Sequence, residues 1–303
     1  MRTGWTDDGA CAPASARRAA AALLAAAGLM LAAPAQAADE APPAARLPRH
    51  IRYGFTLQNT RGSLLEKAEL WTYAPVRKTA TQECVGIKAS RGHEMAEDEL
   101  GNQVMHFSFT NLAPFGSAIV AIDADLLVAD QPEPSAIDAA RHLRPERYIE
   151  CADPEFARLA PTFSETDKGR LAEAIFEWTS RSLKDTGYLR DPLGALRALK
   201  EQRGDCTEFM HLFLALCRRN GIPARGIGGY VLDRNAVLRP AAYHNWAEFH
   251  EGGAWRLADP QRKVFRRQAS QFIAMQILGE TTNAMGAFPR YRCSGEGLKV
   301  TMN

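Results

Sequence analysis

Apolar and polar positions alternate along the first half of the chain. Ile51, Tyr53, Phe55 and Leu57 take turns with Arg52, Gly54, Thr56 and Gln58, the period of two expected of a half-buried strand. Leu70–Tyr73, Cys84–Ile87, Met105–Phe109 and Ile119–Val128 are further strand-like runs, separated by turn material at Ala74-Pro75, Ser90-Arg91-Gly92, Gly101-Asn102 and Ala113-Pro114. Short strands at this spacing predict an antiparallel β-sandwich over residues 38–129. No catalytic set stands out in it, and the lone His93 and His106 read as surface or packing residues. Asp130-Gln131-Pro132-Glu133-Pro134, polar and twice interrupted by proline, predicts a linker over residues 130–150.

Beyond the linker the period turns helical. Ser164 followed by Asp167 resembles a capping box, with Leu171, Ala174, Ile175, Trp178 and Ser182 on one face. A shorter helix is expected after Asp191-Pro192, through Leu193, Leu196 and Leu199. Arg203-Gly204-Asp205-Cys206 breaks the chain and opens another amphipathic run, faced by Phe209, Met210, Phe213 and Leu214 and ended by Asn220-Gly221-Ile222-Pro223. Strands are expected at Arg225–Leu232, Tyr243–Phe249 and Ala254–Ala258, the last two joined by a turn at Glu251-Gly252-Gly253. The second part, residues 151–303, is therefore an α+β unit.

The candidate chemistry lies in that part. Cys206 falls at a helix N-terminus, where orphan amides and the dipole favour a thiolate and its own N–H points where an oxyanion would form. A short turn makes the strands of His244 and Asp259 antiparallel neighbours, which sets both residues at one end of the hairpin. A thiol–imidazole–carboxylate relay needs that placement: the imidazole activates the thiol, and the carboxylate orients and supports the imidazolium. The neighbours read more plainly. Asp205 is expected to cap the helix, Glu208, His211 and His250 to be exposed or structural, and Trp246 and Trp255 to pack. Cys217 lies about three helical turns, ~16 Å along the axis, from Cys206 and is expected in the core.

Taken in order, Gly204-Asp205-Cys206, Asn220-Gly221-Ile222-Pro223-Ala224-Arg225, His244-Asn245-Trp246 and Leu257-Ala258-Asp259-Pro260 resemble the core of the transglutaminase-like superfamily, over about residues 165–265. The resemblance carries that family's Cys–His–Asp triad onto Cys206, His244 and Asp259. It implies a papain-like or transglutaminase-like core, a helix carrying the Cys packed on an antiparallel sheet. The β-rich segment before it resembles the sandwich that precedes this core in many exported bacterial members. Gln261 stands where many members have Thr. For the side chain that completes the family's oxyanion hole, Gln202 and Tyr188 are the candidates.

The function this implies is cysteine-dependent acyl transfer on peptide or amide bonds through a thioester on Cys206, with hydrolysis favoured over crosslinking. Protein-glutamine amine transfer is an alternative, and so is an exported binding protein that keeps the fold without turnover. Neither a cofactor nor a metal is implied, and no C-x-x-C pair or His/Cys cluster at zinc spacing occurs. The expected partner is a peptide or protein substrate, with cell-envelope material in view.

Composition narrows the setting. With 37 Lys+Arg against 35 Asp+Glu in 303 residues, there is no electrostatic argument for nucleic acid or an anionic membrane surface. Arg17 and Arg18 precede the apolar run Ala19–Ala33, and Ala35-Gln36-Ala37 supplies a small-x-small cleavage pattern, so residues 1–37 are expected to be a secretory signal peptide. The run falls short of the roughly 17–25 residues that span a bilayer. Periplasmic or secreted location follows, with no stable membrane insertion after cleavage. Past residue 37 remain Cys84, Cys151, Cys206, Cys217 and Cys293, an odd number that leaves at least one thiol unpaired, with one disulfide open among Cys84, Cys151 and Cys293.

Overall fold

Alternation in the first half becomes two facing sheets. The computed structural model describes residues 45–286 and 290–303, so the candidate signal segment lies outside the described residues. The strands are β1 (Leu47–Asn59), β2 (Leu65–Tyr73), β3 (Gln82–Ala89), β4 (Glu94–Glu97), β5 (Gln103–Leu112) and β6 (Ser117–Val128). The central pair, β1 and β6, is antiparallel from Leu47↔Val128 to Gln58↔Ser117. This register sends Ile51, Tyr53, Phe55 and Leu57 inward, opposite Val120, Ile122 and Ala124, and against Leu70, Met105 and Phe107 of the facing sheet. Burying each large side chain stabilises the fold by about 1.5–3 kcal/mol. The alternation was legible because one face of each sheet stays wet.

The second half contributes α1 (Pro154–Leu159), α2 (Lys168–Ser182), β7 (Lys184–Asp185), α3 (Ala195–Glu201), β8 (Arg203–Gly204), α4 (Cys206–Arg219), β9 (Ala224–Val231), β10 (Ala236–Val237), β11 (Tyr243–Glu251), β12 (Ala254–Asp259), β13 (Val264–Phe265) and β14 (Phe272–Leu278). Helix α4 is central: Leu212, Phe213, Leu214, Leu216 and Cys217 are buried against α1, α2, α3 and the inner face of a sheet ordered β13-β12-β11-β9-β14. Every pairing in that sheet is antiparallel. The hairpin between β11 and β12 closes through Gly252 (φ 59°) and Gly253 (φ 79°), both in the left-handed region that a two-residue turn of this twist requires. The architecture is α+β, with a helix carrying Cys206 packed on an antiparallel sheet.

Three local expectations are corrected. Ser164 does not cap α2; Asp167 does, accepting the Arg170 N–H at 2.9 Å, so Asp167 is the cap rather than the third helical residue. The buried face of α2 is accordingly Leu171, Ala172, Ile175, Phe176 and Thr179, with Ala174, Trp178 and Ser182 only partly covered. The sandwich also does not end its pairing at residue 129. β15 (Tyr291–Ser294) joins β2, β16 (Leu298–Met302) joins β1, and β10 pairs in parallel with β1. Residues 130–150 carry turns and one isolated bridge, Glu146↔Ile149. Glu146 there holds buried Arg218 of α4 at 2.7 Å.

The open edge of β14 is closed by side chains of the sandwich. Gln82 accepts the Ala274 N–H and donates to the Ala274 carbonyl, and Asn102 does the same for Ile277. Two amides thus replace a neighbouring strand.

Candidate active site

Cys206 is the first residue of α4 and is half-buried. Asp205 caps the helix, its Oδ1 accepting the Thr207 N–H at 2.8 Å. Glu208 reaches back so that its Oε2 accepts the Asp205 N–H at 3.1 Å, which completes a capping box. The other oxygen of each carboxylate holds a loop: Asp205 Oδ2 accepts the Leu189 N–H and Glu208 Oε1 the Leu193 N–H, both at 2.8 Å. The chain from Lys184 to Leu193 is thereby strapped beside the helix start, further fixed by the β7–β8 pairing. Glu208 is completely buried; burial and then the Asp205 charge push its carboxyl up, against the pull of its two backbone donors.

Opposite this helix start stands β11. The Asn245 amide donates to Thr207 Oγ1 at 3.0 Å, tying the first turn of α4 to the strand next to His244. His244 is 12% and Asp259 1% exposed in their side chains. His244 Nε2 lies 2.6 Å from Asp259 Oδ2, and the Cys206 sulfur is near enough to act on the ring's charge. With Nε2 taken by the carboxylate, Nδ1 is the nitrogen left for sulfur. Burial works against the imidazolium, but Asp259 and the Cys206 sulfur outweigh it and raise its pKa to about 9. Asp259 Oδ1 accepts the Arg262 N–H at 3.1 Å, so both carboxylate oxygens are engaged.

The structure thus brings His244 and Asp259 together and ties their sheet, through Asn245 and Thr207, to the helix start that carries Cys206. Gln202 and Tyr188 are placed less decisively. Gln202 ends α3 in the left-handed region (φ 52°) and is exposed, two residues before Gly204. Tyr188 is 81% exposed on the strapped loop. Among the described residues neither side chain is seen to make a hydrogen bond. Trp246 and Trp255 are buried packing residues, and Cys217 is in the core. Cys84, Cys151, Cys206, Cys217 and Cys293 are all free, with no disulfide among the described residues. No group of three or more His, Cys, Asp or Glu side chains there is placed to hold a metal ion.

Two features escaped the sequence reading. The D-x-x-E spacing of Asp205 and Glu208 carries a capping-box signal, but the second use of each carboxylate needs the fold. Tyr243 carries no motif at all. Its ring meets Tyr230 edge-on at 5.5 Å, and a Cβ on Gly228 would overlap its hydroxyl, so glycine is required there.

Residues 157–260 match the transglutaminase-like superfamily. An uncharacterised protein of Mycobacterium leprae is 35% identical over 86 residues, 27% of this chain and 30% of that protein; the chain thus spans under a third of the curated relative it matches. Among solved structures, a candidate cysteine protease from Cytophaga hutchinsonii is similar at 18% identity, with a TM-score of 0.56 over 86% of this chain and 92% of that one. That likeness is one of fold. The periplasmic domain of TgpA from Pseudomonas aeruginosa aligns at 14% identity with a TM-score of 0.38, over 70% of this chain and 90% of that one. Residues 157–260 are a transglutaminase-like core.

Proposed function

We propose that the protein is a cysteine acyl-transfer enzyme that hydrolyses peptide or amide bonds. The observation that carries this reading is the His244 ring, held by Asp259 at 2.6 Å on a strand that Asn245 ties, through Thr207 at 3.0 Å, to the helix start of Cys206. In the first half-reaction Cys206 Sγ adds to the carbonyl carbon, the C–N bond breaks, and the imidazolium of His244 gives its proton to the departing amine. A thioester remains. In the second, water adds to the thioester while His244 takes its proton, and the acid leaves as the thiol re-forms.

The Cys206 N–H, at the first helical position, has no acceptor within its own helix and is available to the oxyanion. Gln202 and Tyr188 are the side chains proposed to complete that hole. Water is favoured as acceptor because Cys206 is half-buried rather than enclosed and the Lys184–Asp191 segment beside it is largely exposed. The signal-like segment before Ala37 supports export, hence a peptide or protein substrate of the cell envelope. Among the described residues no helix is long and apolar enough to cross a membrane.

The test compares wild type with Cys206→Ala on candidate envelope peptides, with and without a primary amine, reading products by mass. Hydrolysis products from the wild type alone are expected. Amine adducts replacing them would redirect the reading to crosslinking, and identical profiles for both proteins would remove Cys206 as nucleophile.

A further inference from the structure

Arg290 stands at the root of β15, in the sandwich half. Its carbonyl accepts from Thr72 Oγ1 at 3.2 Å and from the Tyr73 N–H at 3.5 Å, which anchors its backbone on β2. Its side chain leaves the sandwich. Nη1 donates to the Pro240 carbonyl at 2.8 Å, and the guanidinium carbon sits 5.4 Å from the centroid of the Tyr243 ring, within range of a cation–π contact.

Pro240 and Tyr243 are the two ends of one turn. The same Pro240 carbonyl accepts the Tyr243 N–H and closes the 3-10 turn Pro240–Ala242. Arg290 therefore grips both the carbonyl that ends this turn and the ring of the residue immediately before His244. The far side of that ring is equally constrained. Tyr230, paired with Tyr243 across β9 and β11, meets it edge-on, and Gly228 leaves room for its hydroxyl only by lacking a side chain. Around this contact Tyr53, Thr72, Tyr73, Met275 and Met302 line a cleft with room for only about 20 Å³ of solvent.

We propose that Arg290 is a positioning residue through which the β-sandwich sets the place of His244 against Cys206. Its side chain meets Pro240 and Tyr243 rather than the reacting groups. Holding Pro240 and Tyr243, it fixes the backbone where the His244 strand begins, and so the angle at which the imidazole meets its two partners. The sandwich is then part of the reaction machinery rather than a separable attachment. This inference rests on the reading of Cys206, His244 and Asp259 as the reacting set.

The rate of Cys206 alkylation by iodoacetamide between pH 5 and 10 tests it without a substrate. Peptide mapping assigns the label, and Cys206→Ala supplies the background of the other thiols. In the wild type a change in rate is expected near pH 9, where the imidazolium deprotonates. In Arg290→Gln that inflection should move down towards the ordinary histidine range, with alkylation at pH 7 roughly tenfold slower and the melting temperature measured alongside. Arg290→Lys keeps the charge and a donor to Pro240 but not the flat stack, and should fall between the two. A folded Arg290→Gln whose profile superimposes on the wild type overturns the proposal. If Arg290→Gln does not fold, Arg290→Lys decides alone: an intermediate inflection supports the inference and coincidence with wild type sinks it. Failure of the underlying reading looks different, because Cys206 would then show no inflection and no preference in the wild type itself.

Discussion

Asp259 holds His244 Nε2 at 2.6 Å from a position where only 1% of its own side chain is exposed. The carboxylate stays in place because its second oxygen accepts the Arg262 N–H. A buried charge of this kind orients the ring and keeps it protonated beside the sulfur.

Asp259→Asn should therefore drop the imidazole from its value near 9 back towards 6.5 and cost about 10²-fold or more in turnover. The Cys206 alkylation profile checks the first effect, and product formation from a cleaved peptide the second. An unshifted profile would show that the carboxylate does not govern the ring.

Stability should also report this pair. His244 has a raised pKa in the fold, so its stabilising contribution is complete below pH 6.5 and is lost as pH rises through about 9. The loss amounts to ~3 kcal/mol at most. Urea midpoints measured from pH 6.5 to 9.5 should fall in the wild type and lie flatter in Asp259→Asn.

His211 works in the opposite direction. It is buried in α4 against Tyr148, its Nδ1 has no partner, and burial lowers its pKa to about 4. The unfolded chain binds a proton here below pH 6.5 and the fold does not, so stability falls as pH drops from 6.5 towards 4. His142, lowered to about 4 by burial and then by Arg225 and Arg218, adds to the same limb. With the His244 limb above, maximal stability is expected near pH 6.5. In His211→Leu the acid limb should be shallower by thermal melts at pH 4.5 and 6.5.

Gly228→Ala should be costly for its size. The new methyl would overlap the Tyr243 hydroxyl and approach Asn245 Oδ1 at 3.1 Å, both beside the site. Overpacking of this kind costs about 1–3 kcal/mol, and alkylation of Cys206 should slow with it. Thermal melting and labelling together check this; a stable variant with wild-type labelling would show that the ring can move aside.

Asp205→Ala removes a helix cap, about 1–2 kcal/mol, and also frees the Leu189 N–H. Hydrogen exchange should speed up at Leu189 and Leu193 as well as in the first turn of α4. Faster exchange confined to the helix would show that the loop does not depend on this carboxylate.

What the residues revealed in advance follows from how local each signal is. The strands of the sandwich alternate because one face of each sheet is solvated, and Ile51–Gln58 shows it plainly. Cys206, His244 and Asp259 were legible because a helix start and a two-residue hairpin fix their placement over short stretches of chain. The joining of the two halves was not. Gln82 on the edge of β14, Arg290 on Pro240 and β16 on β1 link residues far apart in sequence, and neither propensity nor periodicity carries such pairings. Ser164 misled for a related reason: two capping residues stood three apart, and only the geometry of the first turn distinguishes them.

The pairing of β16 with β1 reaches beyond the resting structure. The first strand cannot complete its hydrogen bonds until the last one has arrived, and Asn303 still donates to the Gly54 carbonyl at 2.9 Å. Contacts so remote along the chain slow folding, because the loop between them must be closed before it is rewarded. The β1 edge of the sandwich therefore forms late, after the segment that carries the thiol has been folded between its two ends.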